Sequence, residues 1–433
     1  MRVENYKTRV SLMNRLLRVA ATAIAFALAA VSLAGCSTHS REDIRFTFSK
    51  REAIDFMQNV VNEYNSSQDR YNVKLDTSGV DVVSASFVRG NPPDLMLANY
   101  NFEVARFVER CALSDLSDTA AAKAADLATF GPLMAQYGKC AGQISALPYS
   151  IMSSAVIYNK DIFAEHGLTV PHTWSELLDV ANRLRDAGID PFYATFKDEW
   201  TVGQGWFDYA IGGSIDVGKF FDKLHEAGDR VGPQSAASFQ DLAAPMEKML
   251  KLSVYTNRDA AARSYGDGNL AIAQGKAAMY LQGPWAFSEI AKSAPELNLG
   301  TFPLPMTEEP KDLAVRVNID LALMVPADAK NPKGARDFLE YLYQPHIIHA
   351  YNASQLGFTP IVGAAAPEDP RVAGMIPYYD AGQIYQGPSV LIPKAIPVHN
   401  YAQAIIAEQN AQTYLATLDK DWSRLAYRQP KGD

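Results

Sequence analysis

From Ile44 onward, short runs that alternate apolar and polar residues take turns with runs whose apolar residues recur every three or four positions. "IRFTFS" (44–49), "NVKLD" (72–76) and "PDLMLAN" (93–99) read as strands, and "REAIDFMQNVVNEYNSS" (51–67) and "FEVARFVERC" (102–111) as amphipathic helices. This alternation predicts an α/β chain whose sheets are mostly parallel and covered by helices. Ligands of such sheets sit beyond the carboxyl ends of the strands. Ser49 and Lys50 follow the first strand, and Asn99, Tyr100 and Asn101 follow the third, so these five are candidate ligand contacts.

"VPHTWSELLDVANRLRDAGIDPF" (170–192) carries clear helix punctuation. Thr173 and Glu176 form a capping box, Trp174, Leu177, Leu178, Ala181 and Leu184 line one face, and Gly188 supplies the stop. Trp174 is therefore assigned to packing. "NPKGARDFLEYLY" (331–343) repeats the logic, with Asn331 as cap and Pro332 in the first turn. No period of 20–50 residues recurs and no low-complexity linker separates two halves, which points to interleaved domains.

Length changes the picture first: 433 residues are long for one hydrophobic core, so two domains are expected. With 48% hydrophobic and 20% charged residues the composition is that of a globular protein. The net charge of −8 and the lack of a basic stripe argue against a nucleic-acid partner.

The start of the chain differs from the rest. Arg2, Lys7, Arg9, Arg15 and Arg18 precede the apolar run "VAATAIAFALAAVSLAG", which ends at Cys36, and this order describes an export signal over residues 1–35. Leu33-Ala34-Gly35-Cys36 resembles the lipobox of bacterial lipoproteins, in which Cys36 would carry the lipid that holds the protein to the outer face of the cell membrane. Residues 1–35 hold five bases and one acid, so the remainder carries −12. Cys111 and Cys140 are then the other cysteines, and an oxidising exterior permits a bridge between them or two buried thiols.

The order of the segments "ALPYSIMSSAVIYNKDIFAEHGL", "VPHTWSELLDVANRLRDAGIDPF", "YGDGNLAIAQGKAAMYLQGPWAFSEI", "NLGTFPLP" and "ARDFLEYLYQP" resembles that of the extracellular solute-binding proteins of ABC sugar importers, the group that includes maltodextrin-binding protein. The resemblance runs from about residue 44 to 360. It implies a two-lobed clamp of the periplasmic-binding-protein kind, each lobe a mostly parallel sheet flanked by helices, joined by interleaved hinge crossings. Residues 36–43 would be a tether, 44–148 and 302–356 an N-lobe, and 149–301 and 357–433 a C-lobe. The implied partners are a carbohydrate between the lobes, the permease subunits of an ABC transporter, and the membrane through the lipid on Cys36; a monomer is expected.

A sugar presents an apolar C–H face to an aromatic plate and a rim of hydroxyls to paired donors and acceptors. Trp285 stands in the family's Gly-Pro-Trp turn, past the strand "AAMYLQ", and is the expected platform. Tyr149 follows Leu147-Pro148 at the first crossing and is a candidate for contact or for strand packing. Trp200 and Trp206 lie where relatives place stacking aromatics, and one of the two is expected to serve. Asn99, Tyr100 and Asn101 match a loop that carries a Trp and an Asp in the maltodextrin protein; neither is present here. Asp320 interrupts the apolar strand "VNIDLALMV" (317–325), so it is either bonded structurally or offered to the cleft together with Asn318. Lys50 reads as a polar contact or as a solvated helix-start residue.

Two other readings stand beside this one. A secreted lipoprotein glycoside hydrolase would also show carboxylates and aromatic plates, and the same clamp could hold a non-sugar solute. Gly-x-Ser-x-Gly, Walker, His-Glu-x-x-His and Cys-x-x-Cys motifs do not occur, so no cofactor, metal or catalytic residue is assigned. "YGDGN" (265–269) lacks the remaining ligand positions of a calcium loop.

Overall fold

The computed structural model describes residues 40–136 and 138–426; the leader and Cys36 lie outside the described residues. Among the described residues there are nine strands: β1 (Glu42–Thr47), β2 (Tyr71–Asp76), β3 (Leu95–Ala98), β4 (Leu147–Asn159), β5 (Asp190–Tyr193), β6 (Ala277–Gln282), β7 (Leu299–Phe302), β8 (Val315–Met324) and β9 (Ile384–Gln386). They form one path in the order β2-β1-β3-β8-β4-β6-β5, with β7 on β4 and β9 on β8. The pairs β1/β3, β5/β6 and β8/β9 are parallel, whereas β3/β8, β4/β8, β4/β6 and β4/β7 are antiparallel. The sheet is thus mixed, not mostly parallel as expected. The long strands β4 and β8 run against each other and carry both ends of the path.

The predicted helices form close to their sequence limits. Ile54–Ser67 buries Met57, Val60, Val61 and Tyr64, the stripe that the spacing predicts. Trp174–Asp186 starts at Thr173, whose side chain accepts from the Glu176 N–H, while the Glu176 carboxylate takes the N–H of His172, one residue earlier than a capping box requires. Gly188 ends it at φ +79°. Asn331 caps Pro332–Leu342 by accepting from the Gly334 N–H. In "YGDGN", Asp267 forms a reciprocal capping box with Ser264.

Two clusters of buried apolar residues pack against this sheet, and the larger takes consecutive residues of β4 and β6, so it meets both of their faces. In β3, Leu95 and Leu97 enter one core and Met96 the other, which is why the strand is apolar without alternation. In β8, Val315, Val317 and Ile319 face the larger core, but Leu321 and Leu323 face the smaller one. These odd positions share one face by ordinary alternation, so that face meets the larger core first and the smaller one further along the strand. The ladder with β4 is irregular at one level. Pairing runs Pro148↔Ala322, Ser150↔Leu321, Ile151↔Ile319, so Tyr149 of β4 and Asp320 of β8 are the residues skipped by the ladder. Bulges re-aim side chains and occur beside binding sites. Here Tyr149 shares the smaller core with Leu147, two residues before it, and Asp320 lines a cavity with Asn318, two residues before it.

Cys111 and Cys140 are joined by a disulfide with Cα atoms 5.3 Å apart. Cys111 follows the helix Phe102–Glu109 at φ +51°, a left-handed turn that a non-glycine residue adopts at some cost.

Candidate functional site

Three strand ends and the middle of β8 converge on one cavity of about 430 Å³, whose lining includes Ser49, Lys50, Asn99, Tyr100, Asn101, Trp285, Asn318 and Asp320. All eight are residues that the sequence reading selected. The turn after β1 supplies Ser49 and Lys50, the loop after β3 supplies Asn99 to Asn101, the end of β6 leads to Trp285, and β8 contributes Asn318 and Asp320.

Lys50 and Asp320 form the electrostatic centre. The Lys50 Nζ donates to Asp320 Oδ2 at 2.5 Å and stands 3.7 Å from Glu52 Oε1. Lys50 is not a solvated helix-start residue: its side chain is 8% exposed and that of Asp320 13%. The second oxygen of Asp320 accepts from Asn99 Nδ2 at 3.1 Å, and the same amide donates to the Asp320 backbone carbonyl at 2.8 Å. A carboxylate inside an apolar strand is costly unless paired, and this one has a partner on each oxygen. It is both structurally bonded and part of the cavity wall.

The other polar residues are partly committed. Asn101 caps the helix Phe102–Glu109, its Oδ1 accepting from the N–H groups of Glu103 and Val104 at 3.1 and 3.2 Å. That leaves its NH₂ for a ligand. Asn318 Oδ1 accepts from Gly387 N–H at 3.3 Å. Tyr100 is buried, and burial pushes its phenol well above the ordinary range, so it lines the cavity as a neutral hydroxyl.

Trp285 opens the helix Trp285–Ala291, and its Nε1 donates to Gln282 Oε1 at 3.1 Å. The indole folds back over Gly283: a Cβ on that glycine would stand 2.1 Å from the ring. The Gly-Pro step thus does two things: glycine leaves room for the plate, and proline starts the helix.

Three expected contacts lie elsewhere. Tyr149 has no exposed surface; its ring packs 5.3 Å from Tyr351 and 6.4 Å from Tyr343. It joins Leu147 in the smaller core. Trp206 is buried against Phe192 and Phe196, at 5.9 and 5.2 Å, and Trp200 stacks edgewise on Tyr265 at 5.1 Å. Neither tryptophan lines the cavity.

Six lining residues escaped the sequence reading: Arg51, Glu52, Met152, Gln204, Ile319 and Val390. Arg51 and Glu52 extend the turn after β1 and were within reach of the strand-end argument. Met152 lies just past the bulge in β4. Gln204 and Val390 come from segments with no strand-end signal.

The family model for bacterial extracellular solute-binding proteins matches residues 51–346. Among curated relatives, an uncharacterized ABC transporter extracellular-binding protein of Pyrococcus horikoshii is 24% identical over 80% of this chain and 75% of its own length. The multiple sugar-binding protein of Streptococcus mutans is 25% identical over 48% of this chain, which spans about half (49%) of that relative. Among solved structures, RafE in complex with raffinose superimposes with a TM-score of 0.74 at 21% identity, covering 89% of this chain and 99% of that one. A sugar transporter of Bacillus licheniformis in complex with stachyose gives 0.69 at 16% identity, covering 88% and 100%. These likenesses fix the fold as that of two-domain solute-binding proteins.

Proposed function

Since the chain belongs to the bacterial extracellular solute-binding protein family, we propose that it captures a carbohydrate, specifically an oligosaccharide, between two lobes and delivers it to the permease of an ABC transporter. The N-lobe comprises residues 44–148 and 302–356, the C-lobe 149–301 and 357–433, with β4 carrying the chain across the first boundary. The observation that carries the reading is one cavity that joins the Trp285 plate to the Lys50–Asp320–Asn99 network. An indole face and paired donors and acceptors are what a sugar's two kinds of surface require. Relatives whose names or complexes mention sugars, raffinose and stachyose support the same class.

The network also favours binding over hydrolysis. A glycosidase needs one carboxyl that gives up a proton and one that attacks or activates water. Asp320 accepts on both oxygens from Lys50 and Asn99, and Glu52 faces the same ammonium. Such carboxylates are fixed acceptors.

A thermal-shift screen against mono- and oligosaccharides tests the ligand class, because a ligand of the folded state raises the melting temperature. Absence of any shift, or slow cleavage of a bound sugar, overturns it. Export and anchoring belong to the same reading: residues 1–35 direct secretion and Cys36 bears the lipid. Replacing Cys36 by Ser should move the protein from the membrane to the soluble fraction, and a wild-type protein already soluble with an unmodified Cys36 refutes the anchor.

A further inference from the structure

A second cavity, of about 410 Å³, adjoins the first and shares Asn101, Gln204 and Val390 with it. Its own wall includes Phe102, Ile392, Ile396 and Val398, a less polar surface than the Lys50–Asp320 end. Each chamber alone is near the lower bound for small-molecule sites, about 300 Å³. A solute that filled both would have to pass Gln204.

Gln204 is held there by an unusual backbone. The helical run from Glu199 to Gly212 contains a π-helical turn over Val202–Phe207. Such turns are rare and are associated with functional sites. Glycines on both sides make it possible: a Cβ on Gly203 would stand 2.0 Å from the His399 ring, and one on Gly205 would stand 2.4 Å from the Leu281 carbonyl oxygen. From Thr201 to Gly212 every residue is buried except Gln204. Around it, Trp206 and Phe207 enter the core, so the extra residue of the wide turn points the one amide outward. That amide is hydrogen-bonded to no described residue, unlike those of Asn99, Asn101 and Asn318. An amide left with both donor and acceptor capacity, fixed at a junction between two chambers, is a preorganised ligand contact.

We propose that Gln204 is the residue that reads solute length: its amide binds the linkage region between a sugar unit in the Lys50–Asp320–Trp285 chamber and a second unit against Phe102, Val390 and Ile392. The proposal rests on the carbohydrate reading above and deepens it. A monosaccharide seated in the first chamber gains little from Gln204, whereas a di- or trisaccharide gains its hydrogen bonds and the apolar wall beyond.

The test is calorimetric titration of wild-type protein, Gln204→Ala and Gln204→Met with galactose, raffinose and stachyose, and with glucose, maltose and maltotriose. In whichever series binds, wild type should prefer the longer members by tenfold or more over the monosaccharide, a gap of about 1.4 kcal/mol. Both variants should lose roughly five- to tenfold on the longer sugars, the size of one or two hydrogen bonds, and less than twofold on the monosaccharide. Gln204→Met keeps the length of the side chain, so a loss seen in both variants reports the amide and not its packing. Melting temperatures should stay within about 2 °C of wild type, as for a partly exposed position. Sugar binding that is indifferent to length, or variants that weaken long and short sugars equally or not at all, overturns the assignment of Gln204 alone. A wild-type protein that binds neither series removes the carbohydrate reading and this proposal with it.

Discussion

The ammonium of Lys50 sits 2.5 Å from a carboxylate oxygen of Asp320, joining the turn after β1 to the skipped position of β8 across 270 residues of sequence. Both side chains are largely buried. Removing one member of such a pair strands the other: a loss of about 3 kcal/mol is expected for Lys50→Met or Asp320→Leu alone. The double replacement should recover much of that stability, since no unpaired charge remains, yet should still bind sugar poorly. Urea denaturation of the single and double variants checks this; additive losses would show that the two charges do not depend on each other.

Trp285→Ala should weaken the cognate sugar by roughly 30-fold, the loss of about 2 kcal/mol typical of an aromatic anchor, with little effect on melting. Gly283→Ala should weaken binding with the indole still present, because its Cβ would displace the ring from its place. Trp174→Ala is the contrast: that indole is 8% exposed on a packing face, where truncation costs about 3–5 kcal/mol of stability. A Trp285 variant that melts far lower but keeps its affinity would return this residue to the core.

These contrasts mark what a sequence can convey. Trp174 was legible as packing because helix period and caps place it with Leu177 and Leu184. Ser49, Lys50, Asn99 and Trp285 were legible as a site because each follows a strand, and strand ends of this fold meet in space. Asp320 stood out as a charge in an apolar run. Tyr149 was not legible, since the rings that cover it, Tyr343 and Tyr351, come from a distant part of the chain. The burial of Trp206 and the arrival of Gln204 at the cavity go with a π-turn whose setting is tertiary: Gly203 and Gly205 packed on His399 and Leu281. Val390 depends on where residues 384–392 fold back beside β8, through β9 and the Gly387–Asn318 bond. The mixed sheet was hidden for the same reason, as strand direction between β3 and β8 is a long-range fact.

The bridge between Cys111 and Cys140 closes a loop with a sequence separation of 29. Loop-closure entropy for that size corresponds to about 3–4 kcal/mol of stabilisation. Reduction, or replacement of both cysteines by alanine, should lower the unfolding free energy by that amount, and with it the denaturation midpoint, while leaving sugar affinity near wild type, because neither cysteine lines the cavity. Equal midpoints for oxidised and reduced protein would show that the bridge contributes nothing to the folded state.

Acid sensitivity should have a component from His225. Its ring lies 5.4 Å from Trp422 and 6.5 Å from Phe221, and burial lowers its pKa below the ordinary imidazole value, with Asp222 opposing the shift in part. The folded state therefore binds this proton less readily than the unfolded chain. Where the unfolded state holds more protons, stability rises with pH. Above about pH 6.5, the unfolded imidazole value, both states are neutral here and nothing is lost; below it the unfolded chain gains a proton that the folded protein resists. Stability should thus fall as pH drops from about 6.5 through the lowered folded value, before most carboxylates titrate. His225→Gln carries no such proton, so the difference in melting temperature between variant and wild type should shift in the variant's favour from pH 7 to pH 5. Parallel melting curves across that range would mean that His225 is as free to protonate in the folded protein as in the unfolded chain.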